Sequence, residues 1–239
     1  MGRAGTGSPG WRVRPYGDAA LLVEVDGPGA MDAETRWRLV QDLGAALLAD
    51  PPPGLTDVVA AFDTVVATFD PLLTDHAGLS AALPGRPARP GRPREPHELV
   101  VPVAYGGAYG PDLEEVAAEL GLAPRALVAL HTATPWTVRF RGSPAGAPFL
   151  DGPALPRPVA RRPTPRTRVE PGSVGLSGRQ SMVYPTASPG GWRLVGRTPL
   201  RLVDPGREGL VPYRPGDRLR FVEVGPQEWR DLEGHGLPW

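Results

Sequence analysis

A run rich in proline and arginine, residues 83–96, most strongly constrains how this chain folds. It reads LPGRPARPGRPREP. Proline fixes the backbone dihedral φ and removes a hydrogen-bond donor, so this segment is expected to be extended and not helical. We therefore predict four parts: an N-terminal α+β domain over residues 1–82, a linker over 83–97, a β domain over 98–225 and a C-terminal tail over 226–239.

The first segment has the pattern of a small α+β sandwich. Residues 11–25 read WRVRPYGDAALLVEV and predict a strand, and residues 55–69 predict two more around Asp63. Between them, residues 31–49 predict an amphipathic helix. Its apolar stripe is formed by Leu39, Leu43, Ala46 and Leu47. The order strand–helix–strand–strand favours a sheet with its helical layer on one face.

The second segment begins with short elements and then loses helical periodicity. Residues 99–103 predict a strand, and a helix is expected to start at Pro111 and Asp112 and to end near Gly121. A second helix is expected over residues 124–131. Short apolar pieces between Pro- and Gly-rich turns then indicate a barrel or sandwich, at residues 137–140, 173–176, 182–184, 192–195, 200–203 and 218–224.

Composition excludes several kinds of chemistry. The chain has 26 basic and 26 acidic residues, so no positive excess favours nucleic acid or an anionic membrane surface. It contains neither Lys nor Cys, which excludes Schiff-base lysines, Walker A loops, thiolate nucleophiles and cysteine zinc sites. No apolar run reaches the roughly 18 residues of a membrane span, and the N-terminus lacks the apolar core of a signal peptide. A cytoplasmic location is expected.

Residues 161–199 hold the densest set of polar and glycine residues in the chain. Guanidinium groups bind carboxylates and phosphates through paired hydrogen bonds, and glycines allow the backbone to approach a ligand closely. One interpretation is a pocket for a small anion or a nucleotide phosphate, lined by Arg166 and Arg168. The other is a barrel whose tight turns need glycine and whose surface carries arginine.

Histidine and serine residues give weaker signals. His131 closes the predicted helix and is either a general acid or base or a helix-terminal residue whose ring is satisfied by its surroundings. His76, His97 and His235 lie in predicted loops or near the terminus at no ligand-like spacing, so no metal site is expected. Ser177 lies in GLSGR, which lacks the last glycine of a nucleophile elbow.

Several segments resemble one known family. They include YGDAALLVE at residues 16–24, VPV at 101–103, YGG at 105–107, YGPDL at 109–113 and LHT at 130–132. The longest runs from TPR at residues 164–166 to GRTP at 196–199. RPGDR at residues 214–218 is similar to the family's closing turn. On these motifs the chain resembles the B subunit of the bacterial 5-oxoprolinase, also called the KipI or allophanate hydrolase subunit 1 family.

The resemblance implies a fold, partners and an activity. The fold would be a small N-terminal α+β domain followed by a cyclophilin-like β-barrel. The partners would be a homologous cyclophilin-like protein of the KipA type and a protein of the LamB/YcsF type. Together they would form an ATP-dependent enzyme that opens 5-oxoproline, a small anionic amide, to glutamate. Other relatives are an inhibitor of a sporulation histidine kinase and the carboxyltransferase part of urea carboxylase.

The resemblance implies a pocket formed by Arg166, Ser173, Gln180, Tyr184, Trp192 and Arg197, and the other candidates named below are chosen from this sequence itself. The candidates for catalysis are His131, Arg166 and Gln180. The candidates for binding substrate or nucleotide are Arg168, Ser173, Tyr184, Trp192, Arg197 and Gly146.

Two loops depart from the family pattern. Residues 142–150 read GSPAGAPFL where the family typically has Gly-Phe-x-Pro-Gly-Phe-x-Tyr-Leu, and residues 178–182 read GRQSM in place of GGQTG. These changes remove aromatic area in one loop and add bulk in the other. We therefore hypothesise a divergent member whose substrate has shifted or whose activity has been lost. The alternative function is a KipI-type regulator that inhibits a sensor histidine kinase.

Overall fold

A computed structural model of the chain describes residues 10–26, 31–83 and 94–238. Clustering of backbone contacts divides these residues into two compact units, one ending at Arg94 and the other beginning at Glu95. The described strands are β1 Trp11–Pro15, β2 Ala20–Val25, β3 Leu55–Ala60, β4 Thr64–Phe69, β5 Glu98–Tyr105, β6 Trp136–Gly142, β7 Ala147–Asp151, β8 Arg166–Val169, β9 Ser173–Ser177, β10 Gln180–Val183, β11 Ser188–Gly190, β12 Arg193–Arg197 and β13 Arg218–Glu223. The described helices are α1 Ala33–Ala49, α2 His76–Ala81, α3 Leu113–Leu120, α4 Pro124–Thr132 and α5 Pro226–Leu232.

The N-terminal unit is an antiparallel sheet with two helices packed on one face. Its strand order is β1-β2-β4-β3. Alternate residues of the two central strands point toward the helices, as strand geometry requires. The buried core consists of Leu21, Val23, Val65 and Ala67 from the sheet, Leu39, Leu43 and Leu47 from α1, and Leu79 from α2. The expected α+β sandwich is confirmed.

Residues 11–25 form a hairpin, and the prediction of a single strand there was wrong. Strands β1 and β2 pair antiparallel from Trp11 and Val25 to Pro15 and Leu21. The Tyr16 amide donates to the Ala20 carbonyl across the turn, where Gly17 has a φ of 65°. A positive φ is accessible to glycine without strain. The Tyr-Gly-Asp motif therefore marks a turn.

The C-terminal unit is built on a closed seven-stranded barrel. Its strand order is β10-β7-β6-β13-β5-β12-β9, and β9 pairs with β10 to close it. All neighbours are antiparallel except β5 and β13, which are parallel. The interior is filled by apolar side chains, among them Val101, Val103, Trp136, Val138, Leu150, Val174, Leu176, Val195 and Phe221. A barrel filled in this way has a packed core and no channel, and the barrel interpretation is confirmed over the sandwich.

Helix α3 begins two residues after Pro111, the residue that the sequence placed at the first helical position. Asp112 is its N-cap and Leu113 its first residue, so Pro111 lies outside the helix and not in its first turn. Gly121 ends the helix with a left-handed backbone, φ 72°, as expected. Helix α4 begins at Pro124, whose fixed φ suits the first helical position.

Other short elements differ from expectation. Residues 200–203 form no strand, and Arg201 makes only an isolated bridge to Gly236. Strands β7, β8 and β11 were missed because each is short and polar or proline-containing. His76 is the first residue of α2 and does not lie in a loop.

The predicted linker and tail are only partly described. Leu83 packs in the N-terminal core, residues 84–93 lie outside the described residues, and β5 begins at Glu98. Within the predicted tail, α5 packs its buried Trp229 against the ring of Tyr109 at 4.2 Å. Over the described ranges, no helix has the length and apolar character needed to span a bilayer.

Candidate functional site

Asp112, the N-cap of α3, is the centre of an ionic network on the barrel. Its side chain is 4% exposed. Arg166 donates two hydrogen bonds of 2.9 Å to the two carboxylate oxygens, and Arg162 donates a third of 3.3 Å. The Leu194 amide of β12 donates a fourth at 2.7 Å. Burial raises the pKa of Asp112, but the hydrogen bonds from Arg166 and Leu194 outweigh it, so the carboxylate stays ionised.

Helix α3 extends this network with two glutamates one turn apart. Arg193 of β12 is 10% exposed and pairs with Glu115 at 2.8 Å and with Glu119 at 3.7 Å. The hydrogen bond to Glu115 raises the pKa of Arg193. Three carboxylates thus face three guanidinium groups, and the network is electrically balanced.

These contacts bear on the predicted roles of two arginines, Arg166 and Arg168. Arg166 was expected to bind a ligand anion, but both of its terminal nitrogens, Nη1 and Nη2, already donate to Asp112. Arg168 was expected to line the same pocket, but it is exposed and pairs with Glu170 at 2.7 Å. The first pairing leaves no local pattern in the sequence, because Asp112 lies 54 residues from Arg166.

His131, the predicted general acid or base, lies inside the barrel and is 1% exposed. Its Nδ1 lies 2.8 Å from the Tyr105 hydroxyl and its Nε2 lies 3.0 Å from Oγ of Ser181. The ring also packs on Phe221, with centroids 4.5 Å apart. Burial lowers the pKa of His131 to about 3, so the ring is neutral at ordinary pH. These contacts favour the interpretation of a histidine satisfied by its surroundings over that of a general acid or base.

An aromatic cluster lies on the outer face of the barrel. Met182 and Phe149 are paired across β10 and β7, while their neighbours Val183 and Leu150 belong to the interior core. Because successive strand residues point to opposite faces, Met182 and Phe149 point outward. We call this set the outer aromatic cluster, and it comprises Phe140, Phe149, Met182, Tyr184 and Trp192.

Three rings of the outer aromatic cluster contact one another in a row. The rings of Phe140 and Phe149 stack with centroids 4.5 Å apart, and Phe149 meets Trp192 edge to face at 5.5 Å. Phe140 and Phe149 are half-buried, whereas Trp192 is 8% exposed. The loop at residues 142–150 thus still contributes one aromatic ring, Phe149, which stacks on Phe140 of β6.

Tyr184 and Gln180 lie on the same outer face. Burial raises the pKa of Tyr184, so its hydroxyl keeps its proton, and this hydroxyl accepts a hydrogen bond from the Trp192 amide. Gln180, two residues before Met182, donates to Asp151 at 3.3 Å, and Arg139 donates to the other oxygen of Asp151 at 2.9 Å. The structure thus brings together Tyr184 and Trp192 of the predicted site, while Gln180 lies farther along the same face beside Asp151.

The remaining predicted residues have other surroundings. Ser173 is 3% exposed, and its carbonyl accepts from the Tyr184 amide. Arg197 donates to the Pro171 carbonyl at 2.8 Å, and its guanidinium lies 6.0 Å from the ring centre of Trp229. Gly146 has a φ of 74° in the turn before β7, and its carbonyl accepts from the Tyr213 hydroxyl at 3.0 Å. Among the described residues, no group of three His, Asp or Glu side chains is placed to bind a metal ion.

Comparison with known proteins identifies the class. Residues 11–213 match the family described as carboxyltransferase domain, subdomain C and D, and the chain belongs to that family. Its resemblance to the B subunit of 5-oxoprolinase is confirmed. It is 36% identical over 217 residues to the 5-oxoprolinase B subunit of Escherichia coli O157:H7, covering 88% of this chain and 96% of the relative. It is 39% identical to that of Haemophilus influenzae, over 89% and 98% of the two chains.

Solved structures share this fold, in two cases inside longer chains. TTHA0988 is 36% identical, with a TM-score of 0.72, and the match covers 90% of this chain but only 41% of TTHA0988. PH0987 from Pyrococcus horikoshii is 32% identical with a TM-score of 0.54 and is covered completely. The Kluyveromyces lactis urea amidolyase has a TM-score of 0.76 at 19% identity, covering 97% of this chain and 16% of that protein, which shows the fold alone.

The ionic network predicts a large loss of stability on removing one charge. Asp112→Asn is expected to lower the free energy of unfolding by about 3 kcal/mol, because it leaves Arg162 and Arg166 partly buried without a counter-charge. Urea unfolding at neutral pH measures this loss. Glu170→Gln, which removes the partner of the exposed Arg168, serves as control and should change nothing measurable. An Asp112→Asn protein as stable as the wild type would contradict this role.

The buried histidine predicts that stability falls below neutral pH. The unfolded chain binds a proton at His131 near pH 6.5, while the folded chain resists protonation until about pH 3. Lowering the pH through this window therefore favours the unfolded state, by up to about 1.4 kcal/mol per pH unit. Urea unfolding between pH 7 and 5 should show this slope, and His131→Gln should reduce it. His235→Gln, at an exposed position, should retain it, and a slope equal in all three proteins would exclude His131 as its source.

Proposed function

We propose that this chain is a non-autonomous subunit of a heteromeric, ATP-dependent 5-oxoprolinase that converts 5-oxoproline to glutamate. The observation that carries the proposal is the similarity to the B subunits of 5-oxoprolinase, at 36% and 39% identity over 96% and 98% of their lengths. A relation of this extent includes residues of both units of the fold.

The arrangement of polar groups supports a protein that does not act alone. The Ser181 hydroxyl and His131 ring are at hydrogen-bond distance, as in a nucleophile–base pair, but both lie in the barrel core. On the outer face, Gln180 and Asp151 are held by each other and by Arg139. Groups that attack the amide are therefore proposed to come from two partner proteins, one of the KipA type and one of the LamB/YcsF type.

We propose that ATP is used by the assembly as a whole and assign no ATP site to this chain. The sequence contains no lysine for a Walker A loop, and the described residues do not fit such a phosphate cradle. We therefore derive no step through ATP on this chain and propose that its own contribution is to bind and orient the organic substrate.

The N-terminal unit has a surface suited to a partner. Leu72 and Leu73 are 91% and 70% exposed in the turn between β4 and α2. Asp70 fixes this turn, because its side chain accepts from the Leu72 amide at 2.9 Å and its carbonyl accepts from the Leu73 amide at 3.0 Å. Two adjacent leucines held outward in this way are typical of a surface that another protein covers.

Reconstitution tests the proposed activity. The chain, co-expressed with its KipA-type and LamB/YcsF-type partners, is expected to release glutamate from 5-oxoproline only when ATP is present, and the chain alone is expected to be inactive. Arg166→Ala is a poor probe of this activity, because it breaks the pair with Asp112. A stable complex of the three proteins without ATP-dependent glutamate release would overturn the proposal. Inhibition of a sensor histidine kinase by the chain would then favour the regulatory alternative.

The leucine pair predicts an effect on assembly alone. Replacing Leu72 and Leu73 together by Ser is expected to weaken co-purification with the partner proteins, because it removes apolar area that association would bury. The fold should persist, since both side chains are exposed. Val59→Thr, at a 49% exposed position of β3, is the matched control. Unchanged assembly of the double variant would show that the partners bind elsewhere.

A further inference from the structure

Arg161 stands apart from the other arginines near the outer aromatic cluster. Residues 161–199 contain seven arginines. Six of them have partners, and these are Arg162, Arg166, Arg168, Arg179, Arg193 and Arg197. The guanidinium of Arg161 makes no hydrogen bond or ion pair with any residue that the structure describes, and it is exposed. Since the neighbouring network of three carboxylates and three guanidinium groups is balanced, the Arg161 charge is uncompensated.

The backbone holds Arg161 beside the turn that joins β11 and β12. The Arg162 amide donates to the Gly191 carbonyl at 2.8 Å. A β-carbon at Gly191 would lie 3.4 Å from both Nε and Nη2 of Arg161, so the guanidinium lies directly over this glycine. The ring of Tyr184 packs under Gly190, where any β-carbon would overlap it. Arg161 and Tyr184 therefore bracket the Gly190–Gly191 turn, and Trp192 of the outer aromatic cluster follows at once.

We propose that Arg161 binds the carboxylate of a small amide substrate at the edge of the outer aromatic cluster, an inference that rests on the proposed function. A guanidinium presents two parallel N–H donors that match a carboxylate, and Arg161 has both available. The ring or carbon chain of the ligand lies toward the half-buried Phe149, whose ring meets that of the buried Trp192 edge to face. Arg161, and not Arg166 or Arg168, is then the residue that selects an anionic substrate.

A guanidinium binds carboxylates and phosphates in the same way, so Arg161 could in principle contact either class of ligand. Polyphosphates are bound by several donors at once, commonly backbone amides of a glycine-rich loop together with a cation. Here a single guanidinium, without a partner among the described residues, lies beside the outer aromatic cluster. This arrangement favours the single carboxylate of a small organic acid over the phosphates of ATP.

Kinetics of the reconstituted complex test the assignment. Arg161→Gln is expected to raise the KM for 5-oxoproline roughly ten- to a hundredfold while kcat and the KM for ATP stay nearly unchanged, because a charge-assisted contact to the substrate is lost. Arg161→Lys should recover part of the loss, since it keeps the charge without the fork. Arg157→Gln, which changes another exposed arginine just before this block, is the matched control. An active complex whose KM for 5-oxoproline does not change, or whose KM for ATP rises instead, would overturn the inference.

A binding measurement separates this inference from the proposed function. If the wild-type complex assembles but releases no glutamate, the proposed function fails on its own. Calorimetric titration of the full chain with 5-oxoproline and with glutamate then decides the role of Arg161. Binding of either acid that Arg161→Gln abolishes supports the site, and 2-pyrrolidinone, which lacks the carboxylate, should not bind. Absence of binding by both acids, or equal binding to the variant, would overturn it.

Discussion

The buried carboxylate of Asp112 fixes the part of the barrel on which the candidate site depends. A charge that is 4% exposed is stable only when it is paired and hydrogen-bonded. Asp112 receives a backbone hydrogen bond from Leu194 of β12 and ion pairs from Arg166 of β8 and from Arg162, which precedes β8. Its own amide also donates to the Leu194 carbonyl at 2.9 Å, so α3 and β12 are joined in both directions. The segment that carries Arg161 is held in place by the same cluster through Arg162.

Because the barrel is closed and packed, a ligand can reach polar side chains on its outer face but not those in its interior. The interior is packed, and its one described line of polar side chains, Tyr105, His131 and Ser181, is satisfied internally. Such a hydrogen-bonded line holds in place the elements that carry it. Any chemistry is then left to groups on the outer face. The aromatic rings and Gln180 lie on that face, Arg161 lies over Gly191 beside Trp192, and the short two-stranded sheet of β8 and β11 packs Val169 against the rings.

The sequence predicted the elements of this fold better than the roles of its side chains. Alternation and turn residues identified β9 and β12, and Gly121 marked the end of α3, because these signals act over a few residues. Pairings between distant residues leave no such local pattern. Arg166 therefore seemed available for a ligand although Asp112 holds it, and Arg161 was overlooked although it is the one arginine of residues 161–199 without a partner among the described residues. Phe140 and Phe149 were missed in a similar way, since their stacking follows from the pairing of β6 with β7.

Amide hydrogen exchange tests most directly whether the outer face, and not the barrel interior, is where this chain meets its substrate. Exchange would be measured on the chain within its heteromeric complex, with and without saturating 5-oxoproline. We predict that adding substrate slows amide exchange in residues 160–165 and 190–192. Exchange in β10, which carries Ser181, and in α4 is expected to stay unchanged. Slowing confined to α4 and β10, with residues 160–165 unaffected, would place the ligand inside the barrel and contradict the account.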